Sequence, residues 1–272
     1  LAIFVPMVTP ALIVGGALNL PVHMTAYLVS MAMVASGIGT YIQVHRFGFI
    51  GSGMLSIQSV NFSFVSVMIA VGLSMKDNGI DEHTMISTLL GISFVGAFLV
   101  CGAAWILPYL KRVITPTVSG VVVLLIGLSL IDIGITDFGG GFGAKGTEAF
   151  GSLQNIGLAG LVLVVVLIFN CMRNPFLRMS GIAVGLIAGY IVALCLGMVD
   201  FSPLKDVDIF TIPVPFKYGF AFDWSAFWVA AIIYLLSVFE AVGDLTATAM
   251  VSGQPYEGEE FRQRLRGGVL DR

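Results

Sequence analysis

Apolar stretches of helix length follow one another along nearly the whole chain, and short polar or charged segments separate them. A helix needs roughly 20 apolar residues to cross the hydrocarbon core of a bilayer. Seven stretches approach that length without a long interruption, which indicates repeated membrane crossings. The predicted spans lie at 1–20, 25–44, 84–107, 115–134, 156–171, 180–199 and from residue 225 onward.

The stretch between Arg46 and Lys76 contains no charged residue, but its composition changes partway along. Residues 51–60 read GSGMLSIQSV, and five of these ten are Gly or Ser, which form helices poorly. The apolar run at 62–75 is too short to cross the bilayer alone. We therefore predict one broken span, extended first and half-helical second, with Asn61 at the N-terminus of the half-helix. A surface loop before a short helix is the alternative, and the absence of charge disfavours it.

The last predicted span contains two carboxylates, Glu240 and Asp244, at a spacing that places them on one helix face. A carboxylate at membrane depth costs roughly 3 kcal/mol on insertion scales, so it is expected to face a cavity, a partner or a substrate. Burial and a like-charged neighbour both favour the neutral form of a carboxylate, which suits such a pair to carry a proton. The alternative is a hydrogen-bonded contact between helices that has no role in transport.

Composition supports a membrane protein and excludes several functional classes. The chain of 272 residues is 57% hydrophobic and 11% charged, whereas a soluble domain has about 25% charged residues. Its net charge of -3 gives no indication of nucleic-acid binding. The cysteines and histidines lack the spacing of a metal site or a disulfide framework, so no metal, cofactor or enzymatic activity is expected. These residues are Cys101, Cys171, Cys195, His23, His45 and His83.

Basic residues are distributed unevenly when each loop is numbered by the span before it. The even-numbered loops, with the segment after span eight, hold nine of the thirteen Lys and Arg residues, and the odd-numbered loops hold four. Because basic loops stay in the cytoplasm, the even-numbered loops are predicted to be cytoplasmic. The alternation holds at every loop, which supports eight spans with the broken segment counted as one crossing.

Three motifs carry a resemblance to a known family: SIQSVNFSFV, VITPTVSGVVVLLIGLSL and LLSVFEAVGDLTATAMVS. Together they resemble the nucleobase–ascorbate transporter family, and the likeness to bacterial xanthine permeases extends along essentially the whole chain. The resemblance implies an all-α polytopic membrane protein with an inverted seven-plus-seven repeat fold and broken spans. This chain would cover about spans one to eight of that fold. It begins inside one apolar run and ends at the start of another, so we expect it to be trimmed at both ends.

The resemblance also implies roles for individual residues. Glu240 matches the glutamate that accepts hydrogen bonds from ring N–H groups of the base and takes part in proton coupling. Asp244 matches the position one turn on, which assists proton coupling. Asn61 matches the position in the broken span that tunes purine selectivity. Phe62 would contact the base through its ring or its backbone N–H.

The family fold divides into a core domain that carries the substrate and a gate domain that supports it. By resemblance, residues 1–108 form core spans one to four, and residues 109–199 form gate spans five to seven. Residues 200–224 form an extramembrane loop, and residues 225–272 form core span eight and the start of span nine. The aspartate of span nine stands between Ala and Gly in the family, which is not the context of Asp271, so Asp271 is assigned no role.

The resemblance implies a proton-coupled symporter that imports a purine base, with xanthine favoured, across the bacterial inner membrane, and the carboxylate pair in an apolar span agrees with proton coupling. The expected partners are the base, protons, membrane lipid and a second copy in a homodimer, without nucleic acid. Uracil, urate and ascorbate stay open as substrates, because the tenth span that distinguishes them is not in the chain. A related anion transporter is disfavoured because two acids would repel an anion. A non-transporting scaffold would need neither a broken span nor buried acids.

Overall fold

The computed structural model describes residues 4–110, 116–199, 201–202, 213–255 and 258–271. Within these ranges every regular element is a helix, apart from one isolated antiparallel bridge between Phe47 and Ile50. The predicted class, an all-α polytopic membrane protein, is confirmed. The α-helices in these ranges are α1 (Phe4–Ala17), α2 (Val22–His45), α3 (Ser63–Asp77), α4 (Glu82–Leu110), α5 (Pro116–Phe138), α6 (Leu153–Asn170), α7 (Pro175–Cys195), α8 (Trp224–Val251) and α9 (Glu259–Leu270).

Five helices in the described ranges have the length and the hydropathy of a membrane span. They are Val22–His45, Glu82–Ile106, Leu153–Asn170, Pro175–Cys195 and Trp224–Val251. Helices α1 and α3 have 14 and 15 residues, and each is shorter than a crossing of about 30 Å requires. The count of eight spans therefore stays a prediction. In the loop predicted at 200–224, residue 200 and residues 203–212 lie outside the described residues.

The break predicted in this span, extended first and helical second, is present in the structure. Residues 51–61 contain neither helix nor strand, and α3 begins at Ser63, two residues after Asn61. The helix then runs to Asp77, so the second half of the segment is helical. The change from Gly and Ser to continuous apolar residues marks this transition because Gly is costly in a helix interior.

Several helices extend beyond the predicted spans. α7 begins at Pro175 and not at residue 180, because the Asn174 side chain accepts a hydrogen bond from the Phe176 N–H at 3.0 Å. Asn is a favoured N-cap, and Pro fits the first helical position because its missing N–H has no helical acceptor. α5 continues to Phe138, beyond the predicted end at residue 134, and α4 continues to Leu110.

One compact unit comprises residues 1–30 and 130–213, and in it α6 and α7 pack along each other. Three buried glycines repeat at every fourth position of α7, at Gly181, Gly185 and Gly189. A Cβ atom at Gly185 would lie 2.5 Å from Cγ2 of Val166 in α6. Small residues at this spacing let two helix backbones approach closely, which favours helix association in lipid.

The other compact unit comprises residues 31–129 and 214–272, and in it α8 packs against α3, α4 and α9. The Asp223 side chain caps α8 by accepting from the Ser225 N–H at 2.9 Å. The buried face of α8 carries small residues together with Tyr234, Val238 and Leu245. This packing brings the middle of α8 to the start of α3. The predicted division into core and gate domains stays a prediction.

Candidate functional site

The extended segment before α3 is held against α2 by groups that accept hydrogen bonds from its backbone N–H groups. Oε1 of the fully buried Gln43 accepts from the Ser52 N–H at 3.3 Å, and the Gln43 carbonyl accepts from the Gly53 N–H at 2.9 Å. Further along, Thr40 Oγ1 accepts from the Gln58 N–H at 3.0 Å. Non-helical backbone at membrane depth is tolerated only where protein or water satisfies its polar groups. Gln43 and Thr40 of α2 meet part of that requirement.

Two glycines bring the same segment into backbone contact with α9. The Gly51 N–H donates to the Gly267 carbonyl at 2.8 Å. Gly51 has φ +85°, a conformation that residues with a Cβ rarely adopt. A Cβ at Gly267 would overlap the Gly51 carbonyl oxygen. The start of the broken span is therefore fixed by its position between α2 and α9.

Asn61 ends the extended segment and caps the start of α3. Its Oδ1 accepts from the Ser63 N–H at 2.8 Å, and its backbone carbonyl accepts from the Phe64 N–H at 3.3 Å. The first N–H groups of a helix have no helical acceptor, so a side-chain oxygen at this place satisfies one of them. The prediction that Asn61 stands at the N-terminus of the half-helix is confirmed.

Glu240 of α8 lies within hydrogen-bond distance of both Asn61 and Ser63. Asn61 Nδ2 donates to Oε2 of Glu240 at 2.6 Å, and Ser63 Oγ lies 2.8 Å from the same oxygen. Ser63 is buried, whereas Asn61 and Glu240 are half-buried. Within the described part of the chain no hydrogen bond reaches Oε1 of Glu240, so this oxygen is free to accept one from a bound molecule. The three residues form the Asn–Ser–Glu cluster.

An aromatic contact joins α3, α4 and α8 close to the Asn–Ser–Glu cluster. The rings of Phe64 and Tyr234 lie 4.6 Å apart between centroids. The buried Tyr234 is also hydrogen-bonded to Ser93 of α4, and a Cβ at Gly96 of α4 would overlap its ring. Because Tyr234 precedes Glu240 by fewer than two helical turns, this contact packs the part of α8 that carries Glu240 against α3 and α4.

The four predicted site residues differ in their burial and in their contacts. It brings Asn61 and Glu240 together by a direct hydrogen bond, although α3 and α8 are far apart in the sequence. Phe62 is half-buried and takes the N-cap position of α3. Asp244 is exposed one turn after Glu240, and its backbone carbonyl accepts from Thr248 Oγ1 at 2.8 Å. The contact between Asn61 and Glu240 fits a substrate site and also a purely interhelical hydrogen bond.

Sequence reasoning missed three polar side chains that shape this site. Ser63 was overlooked because serine is common in these spans, although its place two residues after Asn61 fits an asparagine-capped helix start. Gln43 and Thr40 lie in a predicted span whose small residues indicated only tight packing. No local pattern links them to the broken segment, because their partners are contacts between elements.

Known proteins similar to this chain are permeases and not enzymes. The sequence model of a group described as the permease family matches residues 1–271. Xanthine permease XanQ of Escherichia coli K12 is 67% identical over 270 residues, which is 99% of this chain and 58% of XanQ. Xanthine permease XanP of the same strain is 40% identical over 272 residues, with 99% and 58% coverage. Nucleobase transporter PlUacP of Paenibacillus larvae is 32% identical over 271 residues, with 99% and 60% coverage. The chain thus spans less than two thirds of the length of these relatives.

Proposed function

This chain belongs to the permease family of nucleobase and ascorbate transporters, and from that premise we propose that the protein is a proton-coupled symporter for a purine base. It is a multi-pass protein of the inner membrane. Xanthine is the favoured base, because two of the similar proteins are named xanthine permeases. The proposal concerns the whole protein, of which this chain includes the Asn–Ser–Glu cluster.

The observation that carries the proposal is the convergence of a helix start and a carboxylate in that cluster. A purine base such as xanthine has ring N–H donors and carbonyl acceptors in one plane. Oε1 of Glu240 would accept from a ring N–H, and the positive N-terminal end of α3 would favour a carbonyl of the base beside it. Phe62, at the N-cap of α3, would offer its ring or its N–H to the same plane. Asn61 would tune which base fits.

The proton would be carried by Glu240, with Asp244 assisting. Glu240 is half-buried and hydrogen-bonded, whereas Asp244 is exposed one turn along α8. An exposed carboxylate exchanges protons readily with water, and a nearby enclosed carboxylate can hold one next to the substrate. This division of roles supports a relay from Asp244 to Glu240 along one face of α8.

The premise also extends to architecture and to alternative substrates. The core domain would comprise residues 1–108 and 225–272, the gate domain residues 109–199, and two copies would associate as a homodimer in the lipid bilayer. Crosslinking of the purified protein in liposomes tests the dimer. Uracil, urate and ascorbate are the alternative substrates, and the name of PlUacP, a nucleobase transporter, favours keeping the wider range in the test.

The decisive experiment measures uptake of labelled xanthine by intact cells that express the full-length protein, with and without a protonophore. We expect uptake that the protonophore reduces strongly. In the variant Glu240→Gln, xanthine uptake should fall by at least about tenfold. The amide replaces a hydrogen-bond acceptor with a donor, which leaves a buried N–H of the base unpaired. Glu259→Gln is the matched control, since Glu259 is exposed and pairs with Arg262 at 3.3 Å.

Three outcomes separate the possibilities. Protonophore-sensitive xanthine uptake that Glu240→Gln loses and Glu259→Gln keeps would support the symporter. Uptake of uracil or urate in place of xanthine would keep the mechanism and change the substrate. Normal accumulation by Glu240→Gln would refute the role of Glu240 in this mechanism.

A further inference from the structure

The Ser63 hydroxyl has two acceptors and one proton. Its Oγ lies 2.7 Å from Oδ1 of Asn61 and 2.8 Å from Oε2 of Glu240. A serine hydroxyl donates one hydrogen bond and can accept two. At any moment it can therefore donate to only one of the two oxygens. It donates to Asn61 Oδ1 when Oε2 of Glu240 carries a proton and can donate to it.

We propose that Ser63 is the positioning residue that lets Glu240 hold a proton, by turning its hydroxyl between Glu240 and Asn61. This inference rests on the proposed function. With Glu240 ionised, Asn61 Nδ2 and Ser63 Oγ both donate to Oε2. With a proton on Oε2, that oxygen donates to Ser63 Oγ, and the Ser63 hydroxyl turns to donate to Asn61 Oδ1. In each state the Ser63 hydroxyl proton and any proton on Oε2 both have an acceptor, and no heavy atom moves.

Of the two groups that contact Oε2, Ser63 Oγ can both donate to it and accept from it, whereas Asn61 Nδ2 only donates. Without the hydroxyl, a proton on Oε2 would have no acceptor among the described partners of Oε2, because the remaining one, Asn61 Nδ2, only donates. Rotating the Asn61 amide would supply an acceptor but would break the bond at 2.8 Å from the Ser63 N–H to Asn61 Oδ1. Proton loading would then disturb the start of α3, where the base is proposed to bind.

The arrangement also suits a symporter, in which proton and substrate are carried together. Both contacts of Glu240 in the cluster use Oε2. Oε1 therefore stays an acceptor whether Oε2 carries a proton or not. A base that donates a ring N–H to Oε1 would keep that hydrogen bond while the site takes up its proton.

Other titratable groups near this part of α8 are placed differently. Asp244 lies on α8 itself, one turn after Glu240 and exposed. The ionisable residues of α3 stand at its far end, about 20 Å from Ser63 at 1.5 Å per residue. The described groups on the elements packed against α8 are Lys76, Asp77, Glu82, His83, Cys101, Glu259, Glu260, Arg262, Arg264, Arg266 and Asp271. None of them forms a hydrogen bond with Ser63 in the described part of the chain.

The test compares two activities of the full-length protein in liposomes. The first is accumulation of labelled xanthine driven by a pH gradient, which requires the site to load and release a proton. The second is exchange of labelled for unlabelled xanthine at equal pH on both sides, which moves no net protons. Ser63→Ala should reduce accumulation by about tenfold, the effect of one lost partner in a buried network. Its exchange should stay within about threefold of the wild type. Ser63→Thr, which restores a hydroxyl, should restore accumulation.

Ser66→Ala is the matched control, since Ser66 lies one turn further along α3 and is half-buried. It should leave both activities unchanged. Equal loss of exchange and accumulation by Ser63→Ala would overturn the inference, because a merely structural serine would act on both. Wild-type accumulation by Ser63→Ala would overturn it as well. If Ser63→Thr does not fold, the comparison of the two activities in Ser63→Ala decides alone. Failure of the wild-type protein to carry xanthine with protons would instead refute the proposed function.

Discussion

The side-chain amide of Asn61 donates a 2.6 Å hydrogen bond to Oε2 of Glu240, although 179 positions separate the two residues in the sequence. The bond ties the residue that caps α3 to the middle of α8. It also determines which oxygen of Glu240 stays free. Changes at Asn61 should therefore act both on the local fold and on the use of Glu240.

Replacing Asn61 with Asp removes the donor and places a second carboxylate against Glu240. Two carboxylates at this distance cannot both be ionised without strong repulsion, and they would share a proton. We expect Asn61→Asp to reduce xanthine uptake at neutral pH by at least about tenfold, with partial recovery as the external pH is lowered. Uptake assays over a range of external pH measure both effects. Asn78→Asp is the control, because Asn78 is exposed beyond the last turn of α3. Full uptake by Asn61→Asp at neutral pH would show that the hydrogen bond is dispensable.

The helices and the break between them follow from local rules that the sequence displays. A bilayer requires long apolar helices, so hydropathy alone located most spans. The Gly and Ser content of residues 51–60 located the break, and the start of α3 after Asn61 followed from it. Helix starts were less well predicted where a cap decided them. The pair Asn174 and Pro175 carries a clear start signal, yet the span was placed from hydropathy five residues later.

The site was predicted only in part, because its contacts join distant elements. Glu240 stood out as an acid inside an apolar span, and the resemblance paired it with Asn61. Ser63 and Thr40 carry no charge and lie among many similar residues. Their hydrogen-bond partners are therefore evident only from the packing of the helices. A hydrogen bond between two elements produces no recognisable pattern in the sequence of either one, whereas a membrane span has its hydropathy and a helix start has its capping residue.

The extended segment depends on Thr40 as an acceptor for the Gln58 N–H. Thr40→Val keeps the shape of the side chain but removes that acceptor, and an unpaired buried N–H costs about 1–3 kcal/mol. We expect lower thermal stability in detergent and weaker xanthine uptake, because the segment leads directly to Asn61. Thr40→Ser keeps the hydroxyl and should behave nearly as the wild type. Equal stability of the Val and Ser variants would mean that water or another group satisfies the Gln58 N–H.

The close approach of α6 and α7 depends on the glycines of α7. A Cβ at Gly185 would lie 2.5 Å from Val166 Cγ2, so Gly185→Ala must push the helices apart or force a rotamer change. Such overpacking costs about 1–3 kcal/mol. Thermal unfolding followed by size-exclusion chromatography should show a lower midpoint. Gly157→Ala in α6 is the control, since no atom lies within 4 Å of its added Cβ. A midpoint for Gly185→Ala equal to that of the control would contradict the packing described for this pair.

Gly96 of α4 leaves room for the ring of Tyr234, which also contacts Phe64 beside the Asn–Ser–Glu cluster. Gly96→Ala would place a methyl group that overlaps the edge of that ring, so Tyr234 and the part of α8 that carries it must shift relative to α4. We expect a loss of about 1–3 kcal/mol in stability. We also expect a larger proportional loss of xanthine uptake than of folded protein, because Glu240 moves with α8. Gly102→Ala lies on the same helix with no atom within 4 Å of its Cβ, and it should be neutral or slightly stabilising. If Gly96→Ala lowered uptake only in proportion to the amount of folded protein, the Tyr234 contact would stabilise the fold without positioning the Glu240 carboxylate.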